Sequence, residues 1–163
     1  MLMAILMLLA DATSAGNLAW KLPPGWTVDP RPSQMRLATL KVPAAAGDAE
    51  GGELAIFFFG AGQGGTVDAN VQRWIGQFKS EPGVAKTRTE MVKDVKVTRV
   101  QTEGTYGSGM PGGATTPREN FALQGAIAEG SGGAVFFKLT GPKKTVQKAA
   151  PQFDALIKSL SRR

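Results

Sequence analysis

The chain has 163 residues, with no cysteine and no histidine, 19 Lys and Arg against 13 Asp and Glu, 21 Gly and 10 Pro. That length fits one domain, and 42% hydrophobic with 20% charged is a folding composition. Without His or Cys there is no imidazole acid–base catalyst, Ser-His-Asp triad, thiol nucleophile, disulfide, zinc ribbon or iron–sulfur cluster, so no metal and no cofactor is expected.

Met1 to Leu9 is almost purely apolar and is followed by Ala10-Asp11-Ala12-Thr13-Ser14-Ala15. A stretch of about ten residues is too short for a membrane span, which takes roughly 20 in a helix. It matches the apolar region of a secretory signal, and Ala10-Asp11-Ala12 has the small-x-small form of a cleavage site. No Lys or Arg precedes it, as in a leader truncated at its start. Residues 1–15 are therefore expected to be a signal peptide and 16–163 a single domain, periplasmic or secreted. The alternative is a buried first element of a cytoplasmic protein.

Leu18 to Leu22 reads as a strand stopped by Pro23-Pro24-Gly25, and Trp26-Thr27-Val28 follows. Met35 to Val42 is the next strand, ended by Pro43, and residues 44–52 form a small-residue, acidic loop. Leu54 to Phe59 is apolar at every position, the mark of a central strand covered on both faces. Gly60 to Gly65 is a turn, and Thr66 is the expected N-cap of a helix whose apolar stripe is Val67, Val71, Trp74, Ile75 and Phe78. Lys86 to Val92 and Val95 to Tyr106 are rich in Thr and Val, with Lys93-Asp94 as a hairpin turn. Residues 107–120 have no periodicity and read as a long loop.

Phe121 to Glu129 alternates large residues with Ala122, Ala126 and Ala128, as a strand under a close helix would. Ala134 to Thr140 reads as the last strand. The final helix carries Val146, Ala150, Phe153, Ile157 and Leu160 on one stripe. Pro151 interrupts it at a cost of about 3 kcal/mol, which predicts a kink or a second helix starting there. Phe57-Phe58…Thr66-Val67 and Phe136-Phe137…Thr145-Val146 form a weak echo at one offset, consistent with two similar strand–helix halves.

Three groups of residues could carry a function. Gly60-Ala61-Gly62-Gln63-Gly64-Gly65 fits G-x-G-x-x-G before a helix, so Gly62, Gly64, Gly65 and Thr66 could hold an anion on backbone amides. A dinucleotide site would need a buried strand next, and Lys86-Thr87-Arg88-Thr89-Glu90 is too polar for it. A plain turn is the competing reading. Tyr106, Arg118 and Asn120 flank the long loop and, if their strands pair, could grip a carboxylate or a sugar; a Tyr capping the sheet edge is the plainer alternative. Residues 143–163 carry Lys143, Lys144, Lys148, Lys158, Arg162 and Arg163 against Asp154 alone. Lys144, Lys148, Lys158 and Arg162 could dock on an anionic membrane or polyanion, or simply be a solvated face. Aromatics do not interleave with this run as stacking sites require, so no nucleic-acid partner is expected. Trp20, Trp26 and Trp74 read as core.

For catalysis there remain the carboxylates. A small carboxylate-dependent hydrolase would draw on Asp29, Asp48, Glu50, Glu53 or Glu119, but the spacing fixes no pair at the separation of about 5 to 9.5 Å that such chemistry requires.

The order of elements, Trp20…Pro23-Pro24-Gly25-Trp26, and the passage Phe136-Phe137-Lys138-Leu139-Thr140-Gly141-Pro142 resemble the PsbP/DcrB-like family of small exported proteins. The resemblance covers nearly all of residues 16–163. It implies an α+β fold, a mainly antiparallel sheet with helices packed on its faces. It also implies a non-catalytic accessory or binding protein of the cell envelope, whose partner is an envelope protein or glycan, and it carries over no site residue.

Overall fold

The computed structural model describes residues 12–107 and 116–163. Most of the segment read as a leader, and most of the loop after Tyr106, fall outside these. The strands are β1 (Ser14–Ala15), β2 (Leu18–Ala19), β3 (Thr27–Val28), β4 (Ala38–Val42), β5 (Gly52–Phe58), β6 (Phe78–Lys79), β7 (Lys86–Val92), β8 (Val95–Tyr106), β9 (Arg118–Gly130), β10 (Gly133–Pro142) and β11 (Ser161–Arg162). The helices are α1 (Val67–Gly76) and α2 (Lys143–Lys158).

The main sheet runs β3-β4-β5-β10-β9-β8, and β8 is shared at its outer edge by β7 and β6. Every neighbouring pair is antiparallel. β5 lies inside it, between β4 and β10, as its two apolar faces require. Leu54 and Ile56 turn toward α2, and Phe57 toward the opposite side. α2 lays Val146, Phe153, Leu156 and Ile157 on that first face, where the small side chains Ala122, Ala126 and Ala128 of β9 admit it. α1 covers part of the second face, packing Val71 and Trp74 on Val100, Leu123, Ile127 and Phe136. Trp20, Trp26 and Trp74 are all buried, as expected of core. This is an α+β sandwich of one large antiparallel sheet between two helices.

Local chemistry sets the ends. Thr66 Oγ1 accepts from the Ala69 amide at 3.1 Å, the expected N-cap. α1 stops at Gly76, two residues short of the last apolar position of the expected stripe, because Phe78 enters β6 and pairs with Tyr106 instead. Lys93-Asp94 makes the turn between β7 and β8, with Lys93 at φ +55°. Arg118, Glu119 and Asn120, read as loop, belong to β9, since Arg118 is the register partner of Tyr106.

β10 is not the last strand. β11 follows α2 and joins β1 and β2 in a small second sheet. No second helix starts at Pro151: α2 continues through it as one helix. Pro151 and Gln147, whose carbonyl it leaves without an intrahelical donor, are both exposed, so water can satisfy the lost bond. Residues 12–15, counted with the leader above, pack into the fold: Ala12 is buried, and its carbonyl accepts from Trp20 Nε1 at 2.7 Å.

Candidate functional site

On the α1 side of the sheet, register partners line up across the strands as Thr39, Ala55, Lys138, Gly125 and Val100. Lys138 thus stands on a central strand between the two smallest side chains of its row. A Cβ on Gly125 would come within 2.7 Å of the Trp74 ring, so the indole of α1 fills that space. On the other flank the Arg36 guanidinium reaches from Glu53, which it bonds, to the Phe57 ring 5.7 Å away, and so spans Ala55.

Lys138 is 9% exposed. Its ammonium donates to Gln77 Oε1 at 2.5 Å and to the Tyr106 hydroxyl at 3.3 Å, and lies 5.5 Å from the Tyr106 ring and 6.0 Å from the Trp74 ring. Gln77 is the C-cap of α1, so the negative end of the helix dipole faces this cation. No carboxylate bonds it among the described residues. Burial pushes its pKa down to about 8, and the charges of Arg36 and Arg73 push the same way. Burial also raises the Tyr106 phenol, against the pull of Arg36 and Arg118. Lys138 is the one charged residue of β10, a signal that the sequence holds but that the reading of it above did not use.

Tyr106 is packed between Phe78, at 4.8 Å, and Phe121, with which it stacks at 6.0 Å. Arg118 lies over the outer face of this stack, 5.5 Å from the Phe121 ring, and bonds both oxygens of Glu50 at 3.0 Å. The structure therefore brings Tyr106 and Arg118 together as the sequence suggested. Asn120 sits two residues further along β9, exposed, with φ +54°. Beside Tyr106 a hollow of about 380 Å³ opens over the sheet, with Thr39, Lys41, Glu53, Thr140 and Arg118 in its walls. Lys138 and Arg36 stand directly behind Tyr106 and Glu53.

The glycine turn has a packing role that its motif did not disclose. A Cβ on Gly64 would meet the Phe59 ring at 2.7 Å, and Gly62, Gly64 and Gly65 all take positive φ. The buried Asn70 amide donates to the carbonyls of Gly64 and Thr66, both at 2.8 Å. Of the basic group, Lys158 is paired with Asp154 at 2.8 Å and Arg162 with Asp94 at 3.1 Å, whereas Lys144 and Lys148 are exposed one turn apart with no acidic partner among the described residues.

Four of the five carboxylates considered for catalysis are engaged, Asp29 by Arg31 at 2.5 Å. Asp48 accepts from the Thr145 amide and hydroxyl at 3.1 and 2.6 Å, Glu50 binds Arg118 and Glu53 binds Arg36. Glu119 is exposed. Among the described residues no three acids cluster as a metal site would need, and no helix is long and apolar enough to cross a membrane.

No family model matches the chain, and no curated protein matches its sequence. Its fold is similar to the solution structure of cyanobacterial PsbP (CyanoP) from Synechocystis sp. PCC 6803, with a TM-score of 0.57 and 11% identity, covering 93% of this chain and 90% of that one. It is also similar to the crystal structure of PA94, a protein of unknown function from Pseudomonas aeruginosa, with a TM-score of 0.50 and 13% identity over 85% of this chain and 97% of that one. The chain has the PsbP-like fold.

Proposed function

We propose that this chain is an exported, non-catalytic accessory protein of the cell envelope, and that it holds an anionic group of its partner in the hollow beside Tyr106. One observation carries the reading: Lys138 keeps a positive charge in the sheet with no acid bonded to it among the described residues, while Arg36 and Arg73 add charge of the same sign. A ligand carboxylate or phosphate entering past Thr140 and Tyr106 would complete that charge. Glu53, bonded to Arg36 and 44% exposed at its side chain, is the internal acid it would displace. The PsbP-like fold supports an accessory role. The engagement of Asp48, Glu50 and Glu53 in structural bonds weighs against the hydrolase alternative.

A photo-crosslinking side chain at Lys41, in the tagged full chain expressed in its own cell type, tests this. The expected result is a crosslink to an envelope protein or glycan in the exported fraction that disappears with Lys138→Met. An adduct indifferent to Lys138→Met, or an uncleaved cytosolic protein, would overturn it. A second reading, docking on anionic membrane, rests on the exposed pair Lys144 and Lys148. Sedimentation with anionic vesicles that is lost in Lys144→Glu plus Lys148→Glu would favour that surface instead.

A further inference from the structure

We propose that the chain pairs with a second copy of itself through β7, in an antiparallel register centred on Thr89. The two edges of the main sheet are unlike. At one, β3 is two residues long and lies between Pro23-Pro24 and Pro30, which supply no amide for an added strand. At the other, β7 runs seven residues without proline or glycine, is bonded among the described residues to β8 alone, and exposes Lys86, Thr87, Arg88, Thr89 and Met91.

The turn decides which backbone groups face outward. A two-residue turn at Lys93-Asp94 makes Val92 and Val95 a hydrogen-bonded pair. Val92, Glu90, Arg88 and Lys86 therefore spend their amides and carbonyls on β8. Thr87, Thr89 and Met91 direct theirs away from the sheet. Set antiparallel about Thr89, two copies place Thr89 opposite Thr89 and Thr87 opposite Met91, and every outward donor meets an acceptor.

Side-chain charge favours this register over those centred on Thr87, Arg88 or Glu90. Arg88 comes opposite the partner's Glu90, and Glu90 opposite the partner's Arg88. Within one chain Glu90 Oε1 is held by the buried Arg99 at 3.0 Å, and Oε2 already bonds an arginine, its own Arg88, at 2.5 Å. Centring on Thr87 would set Lys86 against Arg88. Centring on Arg88 or Glu90 would set like charges face to face, at a cost for each pair. Met91, 61% exposed in one copy, is covered by the partner's Thr87.

The chain has no cysteine, so single cysteines report the register directly. Oxidised with a mild catalyst, Thr89→Cys is expected to form a disulfide dimer. Thr87→Cys and Met91→Cys are expected to do so only when mixed together. Sedimentation velocity of the unsubstituted protein should show concentration-dependent dimers. Arg88→Glu, which sets Glu against Glu90 twice, should weaken association by about tenfold. Circular dichroism on each variant separates loss of pairing from loss of fold. Equal crosslinking at all three positions, or a protein monomeric at the highest soluble concentration, would refute the pairing.

Discussion

Lys138 concentrates the electrostatic cost of this fold in one side chain. An unfolded chain keeps a lysine proton to about pH 10.5, whereas the folded protein releases this one at about 8. Between those values the unfolded state binds more protons, so stability rises with pH; below pH 8 both states are charged and the whole cost, about 3 kcal/mol, is present. Above about pH 10 the buried phenol of Tyr106 opposes the trend, because its raised pKa keeps a proton on the folded state that the unfolded state gives up. Urea midpoints should therefore climb from pH 8 toward 10 in the unsubstituted protein and stay flat in Lys138→Met. At pH 7 the methionine variant should be the more stable, by less than that cost, since it forfeits the bonds to Gln77 and Tyr106. A midpoint that climbs equally in both proteins would place the titrating group elsewhere. A stabilising lysine replacement on a central strand is what a site kept for a ligand, at the expense of stability, would give.

At the scale of elements, α2 is capped from a distance. Its own N-cap is Pro142, whose ring carries no hydrogen-bond acceptor, and Asp48 from the acidic loop after β4 takes the part by accepting from Thr145. The Thr145 hydroxyl in turn accepts from the Ala45 amide at 2.9 Å, tying the loop to the helix. Asp48→Ala should cost about 1–2 kcal/mol in urea unfolding, and Asp48→Asn, which keeps an acceptor, clearly less. Equal losses in the two would mean that the negative charge at the helix end matters more than the bond. A cap supplied across so long a sequence separation leaves no local pattern, which is why residues 44–52 read only as a loop. Local chemistry was readable by contrast: the Thr66 cap, the Lys93-Asp94 turn and the two-faced β5 all follow from neighbours in the chain. The end of α1 was not, because Phe78 could continue the helical stripe as well as the strand that Tyr106 offers it. The expectation of a second helix at Pro151 failed for a similar reason, since the cost of a proline inside a helix depends on which side of it faces water. In the candidate site, Tyr106 and Arg118 were visible from their positions about the loop; Lys138 needed the register with Ala55 and Gly125 before its isolation became apparent.

For the molecule as a whole, the small sheet joins the start of the described chain to its end. β2 pairs with β1 on one side and β11 on the other, and the Arg163 amide donates to the Asn17 carbonyl at 2.9 Å. Trp20, against Phe137 in the larger apolar cluster, hangs from the same segment: its backbone amide donates to Thr13 at 3.0 Å and its indole to Ala12 at 2.7 Å. This bears on where a leader could be removed. Proteins made to begin at Ala12, Thr13 and Gly16 should melt in falling order. The Thr13 form loses the indole's acceptor, leaving a buried donor at a cost of about 1–3 kcal/mol. The Gly16 form loses the β1 ladder and the Ser14 acceptor of Arg163 as well. With roughly 2–4 °C for each kcal/mol in a domain of this size, the steps are within reach of a thermal scan. If the protein is exported as proposed, mass spectrometry of the mature form should find its first residue at or before Thr13, in keeping with the Ala10-Asp11-Ala12 site, because a cut after Ala15 would strip an edge from the small sheet. A flat melting series would remove that constraint and leave β1 without a part in holding Trp20.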